Sequence, residues 1–396
     1  MKQRSFLSFL QLVLLFAVIL SAFTPPAFTA ETASIPVSVK CLPIFPYRDC
    51  WYGGDGAYSI ALDKHRTLWM FGDTFASCEA TRQDRVDMDV VLGTTVAIST
   101  CSMDGKFNIH YYLKRKDGKF ITSFGEGEWM WPQDPFIVET VISQHSYTKK
   151  ILYIPLLVVE PRPDAKGPLR FGIIGHRFAR IDDFSGSDPN QWNVTYIDLT
   201  PAIPKEIQAF ATTSVIYKQY VYFYPVLGIF GNMLARIPVE KIDHPVGAIE
   251  YLAKDGSWKV GLVPSDAQIV LDAGVSELSV RYHADRKKWV AVYMSIENRG
   301  DRLLCSEAER LEGPWTPPVP LIANIPEVDP KSTKCDRNNI CYAGKEHMQF
   351  SSGKSLVTTY VCNSLEDFQN RHGFIRKNLF LYRPVVNALP YPAERP

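Results

Sequence analysis

Long amphipathic helical patterns are scarce in this 396-residue chain, which argues against a helical bundle or helix layers stacked on a sheet. Neither sign of charge is in excess, since 43 basic residues stand against 42 acidic ones. That balance argues against nucleic-acid binding and a polybasic membrane surface, and fits neutral ligands such as sugars. No Cys-x-x-Cys occurs, which disfavours a zinc ribbon or a thioredoxin-like site. No Gly/Ser-rich or charged linker divides the chain, so one domain over residues 40–390 is expected. Only one long apolar run is present, Phe6–Phe23, preceded by Lys2 and Arg4. Residues 1–30 therefore read as a secretory signal peptide. The run is about long enough to span a bilayer, so an uncleaved anchor is the alternative. No other membrane contact is expected. The cleavage point is ambiguous, because cutting after Ala30 puts Phe28 where a small residue is wanted. A secreted, periplasmic or cell-surface protein is the expectation.

All eight cysteines lie beyond that run, an even number that in an exported chain suggests disulfides. The close pairs Cys41/Cys50 and Cys335/Cys341 suggest local loops, although spacing alone does not fix connectivity.

What the chain has in quantity is short runs rich in Val, Ile, Tyr, Phe and Trp. Ala57–Leu62, Thr67–Phe71, Lys150–Val158, Tyr220–Pro225, Leu278–His283, Lys288–Ser295, His347–Ser351, Leu356–Cys362 and Leu379–Tyr382 are examples. Asp104-Gly105, Asp117-Gly118, Asp255-Gly256 and Ser352-Gly353 separate such runs as turns. The pattern is all-β. It repeats coarsely from Asp55, Asp134, Ala211, Glu277 and Glu346, at spacings of roughly 65 to 80 residues, enough for a four-stranded sheet with its loops. Five such sheets set radially make a five-bladed β-propeller, and a large two-sheet sandwich is the alternative. A propeller gathers the starts of its inner strands at one end of a channel. Acids far apart in sequence can then share one site.

Gly53-Gly54-Asp55-Gly56 and Phe71-Gly72-Asp73-Thr74 flank one expected hairpin, with a carboxylate at each end. Those ends lie side by side in an antiparallel pair. Two adjacent carboxyl groups are what glycoside hydrolysis requires. Asp beside Gly is also an ordinary turn signal, and Asp73 could instead pair with Arg82 or Arg85. Asp134 and Glu277 are further catalytic candidates. Glu277, if desolvated, would act as the acid, with Arg281 four residues on as a binding group or its ion-pair partner. Trp51, Tyr52, Trp129 and Trp131 are candidate sugar platforms, and each could equally be core. Glu346 and His347 are candidate binding residues at the fifth repeat. No cofactor is expected, and no ligand cluster demands a metal. A structural calcium or other metal on the axis is the alternative.

The stretch Trp51-Tyr52-Gly53-Gly54-Asp55-Gly56-Ala57-Tyr58-Ser59 through Trp69-Met70-Phe71-Gly72-Asp73-Thr74-Phe75 resembles domain-of-unknown-function family 4185. Weaker matches follow in order: Trp131-Pro132-Gln133-Asp134, Leu234–Pro238, Asp255-Gly256-Ser257-Trp258, Ser276–Val280 and Tyr342–His347. The resemblance implies a five-bladed propeller and an endo-D-arabinofuranase-type glycoside hydrolase, with Asp55 and Asp73 as essential carboxylates. The chain departs from that family at Thr94, Gln133 and Met348. The reading is an exported glycoside hydrolase on a furanose polysaccharide such as D-arabinan. The alternative is a non-catalytic carbohydrate-binding or surface-adhesion propeller.

Overall fold

The computed structural model describes residues 41–392, apart from 80, 143–146, 165–169, 229–230, 367–369 and 371. The signal or anchor expected at residues 1–30 lies outside these. The described chain is all-β and antiparallel, with only short helical turns. Besides a three-stranded sheet of Trp51–Gly54, Thr74–Ala76 and Asp89–Val91, five sheets of three to five strands follow one another in chain order among the described residues. The first runs from Tyr58–Ala61 through Arg66–Phe71 and Thr95–Cys101 to Phe107–Tyr112. The second begins at Phe136–Ile142, the third at Ser214–Tyr217 and the fourth at Leu278–His283. The fifth consists of Asn339–Glu346, Ser355–Ser364 and Val385–Pro390.

Burial follows position in each sheet. Phe107, Ile109 and Tyr111 face inward while Asn108 and His110 face water, the period of two expected of a one-sided strand. Lys288–Met294, by contrast, is buried on both faces, and its Trp-Val-Ala-Val-Tyr-Met run has no polar alternation.

An apolar layer fills each space between consecutive sheets. Leu68 and Met70 pack with Leu152, Ile154 and Ala179 between the first and second sheets. Phe136, Tyr153 and Phe178 meet Phe223, Ala235 and Ile237 between the second and third. Tyr222 and Leu234 meet Val280 and Ala291 between the third and fourth. Val290, Val292 and Cys305 meet Leu356 and Tyr360 between the fourth and fifth. Trp69, Phe71 and Phe107 meet Phe350 and Val357, which returns the fifth sheet to the first.

Two expected strands are absent. Residues 348–350 turn, because the strand of the fifth sheet starts earlier, at Asn339, and its register shifts between Tyr342 and Lys345. Residues 379–382 are irregular, and the last strand is Val385–Pro390. Arg85 organises that irregular connection. It is fully buried and donates to five carbonyls, those of Tyr52, Ile375, Asn378, Leu379 and Leu381, at 2.7–3.1 Å. Neither Arg85 nor Arg82 is recorded as an ion-pair partner of Asp73; Arg82 pairs with Glu79.

The disulfides are Cys41–Cys101, Cys50–Cys78 and Cys341–Cys362, with Cys305 and Cys335 free. The local pairs suggested by spacing do not form, because strand pairing decides the partners. Trp51–Gly54 lies against Thr74–Ala76, which carries Cys50 to Cys78, and Cys341 stands directly opposite Cys362 in its ladder. Disulfides belong to oxidising compartments. Among the described residues no helix is long and apolar enough to cross a membrane. Cys41–Cys101 links residues 60 apart, so removing it should cost about 4 kcal/mol by loop-closure entropy. Thermal unfolding of the Cys41→Ser/Cys101→Ser variant measures this. An unchanged midpoint would count against the bond.

Candidate active site

Asp55 follows the Trp51–Gly54 strand and Asp73 precedes its partner Thr74–Ala76. The two acids are therefore backbone neighbours. The Asp55 N–H donates to the Asp73 carbonyl at 3.0 Å, and the Gly72 N–H donates to the Asp55 carbonyl at 2.8 Å. Their side chains have different fates. Asp73 Oδ1 accepts from Gly93 N–H at 2.8 Å, Trp129 Nε1–H at 2.8 Å and Trp131 Nε1–H at 2.9 Å. Asp73 is buried, and its carboxyl fixes the two half-buried indoles, which meet edge to face with centroids 5.5 Å apart. Burial pushes Asp73 up to about 6, against the three donors that favour its ion.

Asp55 is only half-buried as a residue, yet its Oδ1 is enclosed and has no hydrogen-bond partner. Gly56 lets the fourth sheet approach it. Gly56 has φ +63°, and a Cβ there would lie 3.2 Å from Glu277 Oε1 and 3.9 Å from Lys345 Nζ. Glu277 thus lies over the loop that carries Asp55. Lys345 Nζ is 3.8 Å from Glu277 Oε1, donates to the Ala343 carbonyl at 3.1 Å and sits 4.1 Å from the centre of the Tyr58 ring. Burial first, then the Glu277 charge, pushes Asp55 up to about 8, while the Tyr342 hydroxyl and Lys345 oppose the rise. Burial also raises Glu277, and Lys345 opposes it. Lys345 itself is lowered by burial. The Asp55 carboxyl therefore holds its proton well above the usual carboxylate range, and Glu277 is raised in the same direction by its burial.

Asp134 joins the cluster from the second sheet but is saturated. Arg281 Nη2 reaches both its oxygens, at 2.8 and 3.0 Å, and the Thr213 hydroxyl and Ser214 N–H donate to Oδ2 at 2.9 and 2.8 Å. Arg281 therefore pairs with Asp134 rather than with Glu277, whose cation is Lys345. Four remaining candidates sit away from any open surface. Trp51 is in the core, stacked 4.4 Å from Tyr111. Tyr52 stacks on Tyr47 and donates to the Glu79 carbonyl. Neither is a sugar platform, because hairpin packing turns both inward. Glu346 is buried against His283 at 3.0 Å, and His347 lies between Ser59 and Thr359 at 2.6 and 2.7 Å. These two join the fifth sheet to its neighbours and leave no free ring nitrogen for a ligand.

Lys345, Tyr58 and Tyr342 were missed by the sequence reading. The available signal was compositional: Lys345 stands near the end of the Asn339–Glu346 strand, within Tyr342-Ala343-Gly344-Lys345, and a lysine inside an apolar strand asks for a buried anion. Among the described residues one cluster of metal-type donors occurs, Glu327 with Cys341 and Cys362, and there the sulfurs are already joined to each other.

Fold and site together define an all-β protein whose successive sheets each send a charged or polar group to one buried carboxylate–lysine cluster. A family model described as domain of unknown function 5005 matches residues 44–387, and the chain belongs to that family. The expected family 4185 is not the one this match shows. No curated protein matches the chain by sequence. Among solved structures, a Bacteroides ovatus protein provisionally designated a hydrolase is similar at TM-score 0.62 and 15% identity, over 87% of each chain. That likeness speaks for the fold alone. An α-L-arabinofuranosidase from Podospora anserina, in complex with cellotriose, aligns at TM-score 0.41 and 10% identity, covering 89% of this chain and 94% of that one. A GH43_1 enzyme from Xanthomonas citri, complexed with xylotriose, aligns at TM-score 0.42 and 10% identity, over 88% and 90%. These two are too distant to carry a conclusion.

Proposed function

We propose that this chain is an exported glycoside hydrolase, built as a single five-bladed propeller over residues 40–390. The five consecutive sheets, and the apolar layers that lead from the fifth back to the first, support the architecture. One observation carries the chemistry: Asp55 and Glu277 lie together, partly exposed, with raised proton affinity and a buried lysine beside them. A protonated carboxyl of the pair gives its proton to the leaving glycosidic oxygen as the C–O bond breaks. The ionised partner activates water or attacks the anomeric carbon. Asp73, whose Oδ1 holds the two indoles, and Asp134, whose two oxygens are both engaged, are positioning residues for the indoles and for Arg281. Trp129 and Trp131 are the platforms. The substrate class is a neutral polysaccharide, with furanose polymers such as D-arabinan first to test on the motif resemblance. No cofactor enters this reading.

New reducing ends from a panel of arabinans and related glycans test it. Turnover should follow a bell-shaped pH profile. It should fall above about pH 8 as the proton held by the pair is lost, and fall in acid once both carboxyls are protonated. Binding without any cleavage across the panel would favour a carbohydrate-binding propeller instead.

A further inference from the structure

The ends of the third and fourth sheets away from Asp134 and Glu277 form a second feature. Ser214 begins its strand at Asp134, and Tyr217 ends it, roughly 10 Å further on at about 3.3 Å per residue. There a cavity of about 590 Å³ opens, lined by Tyr217, Tyr220, Tyr222 and Arg310 among others. A second cavity of about 620 Å³ is lined by Trp258 and Trp315. Arg310 and Glu312 line both, so the two cavities adjoin, and together they are described as one groove.

The groove is built rather than incidental. The Arg236 guanidinium stacks 4.0 Å from the Tyr220 ring and 3.8 Å from the Trp258 ring, and Glu250 holds it at 2.6 Å. Those rings are therefore fixed before any ligand arrives, which lowers the cost of binding. Tyr217 is 42% exposed, with its ring edge against Trp289 at 5.6 Å. Trp315 Nε1 is buried without a hydrogen-bond partner, an uncommon and costly state for an indole donor. Arg310 and Glu312 supply both signs of charge, so the groove has no bias toward a polyanion or a polycation. Fixed aromatic faces and mixed polar groups along two adjoining cavities suit a chain of sugar rings. Their C–H faces stack while their hydroxyls find donors and acceptors.

We propose that this groove is a second glycan-binding site, which holds a neutral polysaccharide away from the carboxylate cluster. It rests on the glycoside hydrolase reading for its ligand class. The test is native gel electrophoresis of the full chain in gels containing soluble arabinan, arabinoxylan or β-1,3-galactan. Glu277→Gln is used so that the polymer persists, with Asp55→Asn as a second parent. At least one polymer should retard the parent. Adding Tyr217→Ala or Arg310→Ala should weaken that retardation at least about fivefold, while Tyr217→Phe keeps it, with thermal midpoints unchanged. Both positions are exposed, so neither substitution should unfold the chain. No retardation by any polymer, or equal retardation of parent and groove variants, overturns the groove. Wild-type hydrolysis of the same polymers is read separately. Groove-dependent retardation without hydrolysis would sink the hydrolase and leave the groove, and hydrolysis without groove dependence would do the reverse.

Discussion

Asp55→Asn and Glu277→Gln should each lower turnover of a cleaved glycan by about a thousandfold, because each removes a group that moves a proton or bonds carbon in the transition state. Neither should unfold the chain. For Asp55→Asn the effect on stability has a definite sign. Burial lifts the Asp55 carboxyl to about 8, above the value of about 4 in an unfolded chain. Between those limits the folded chain keeps a proton that the unfolded chain has released, so stability falls as pH rises. An asparagine has no such slope. The variant should therefore gain in thermal midpoint relative to wild type, and gain more at pH 8 than at pH 5. A second measurement separates the two roles. The variant lacking the acid should keep activity on aryl glycosides with good leaving groups, which need no protonation. Near wild-type turnover in both variants would remove the pair from the chemistry.

Arg85→Met should have the largest effect on stability. It removes one buried donor shared by five carbonyls, of which those of Asn378 and Leu379 keep another donor, the Leu381 N–H and the Tyr47 hydroxyl, while those of Tyr52, Ile375 and Leu381 lose their side-chain partner. Each unsatisfied buried group costs roughly 1–3 kcal/mol, so a loss of at least about 3 kcal/mol is expected, a large part of a typical folding free energy. Arg85→Lys should rescue little, since an ammonium has three donors and cannot copy the planar fork. Arg82→Met is the control, since Arg82 forms a surface pair with Glu79 worth little. Calorimetric midpoints of the three variants decide it. A drop for Arg85→Met no larger than that for Arg82→Met would refute the role.

The hairpin from Asp55 to Asp73 was legible because its turn residues and alternation are local, and the acids do meet through backbone hydrogen bonds. The approach of Glu277 to Asp55 was legible only through the repeat of short strands. What the sequence could not give was which acids would be free. Asp73 and Asp134 look like Asp55 in their motifs, but their donors come from Gly93, Trp129, Trp131, Thr213 and Arg281, and those contacts exist only after the sheets pack. Trp51 and Tyr52 misled for a related reason. An aromatic beside a glycine-rich acid motif fits a platform and a core equally well, and inward packing of the first hairpin decided for the core. The disulfides depended on strand register, which cysteine spacing does not encode.

The carboxylate cluster also bears on the order in which the chain is made. Asp55, Asp134 and Glu277 emerge from the ribosome well before Lys345, which lies in the fifth sheet with its Nζ 3.8 Å from Glu277 Oε1. Sheets that form early, N-terminal first, bring acids together before this cation exists. The nascent chain thus carries Asp55 and Glu277 without their lysine, while Asp134 already has Arg281, until the final sheet docks and delivers one ammonium. Docking of the last sheet and arrival of the site's lysine are then a single late event in biogenesis.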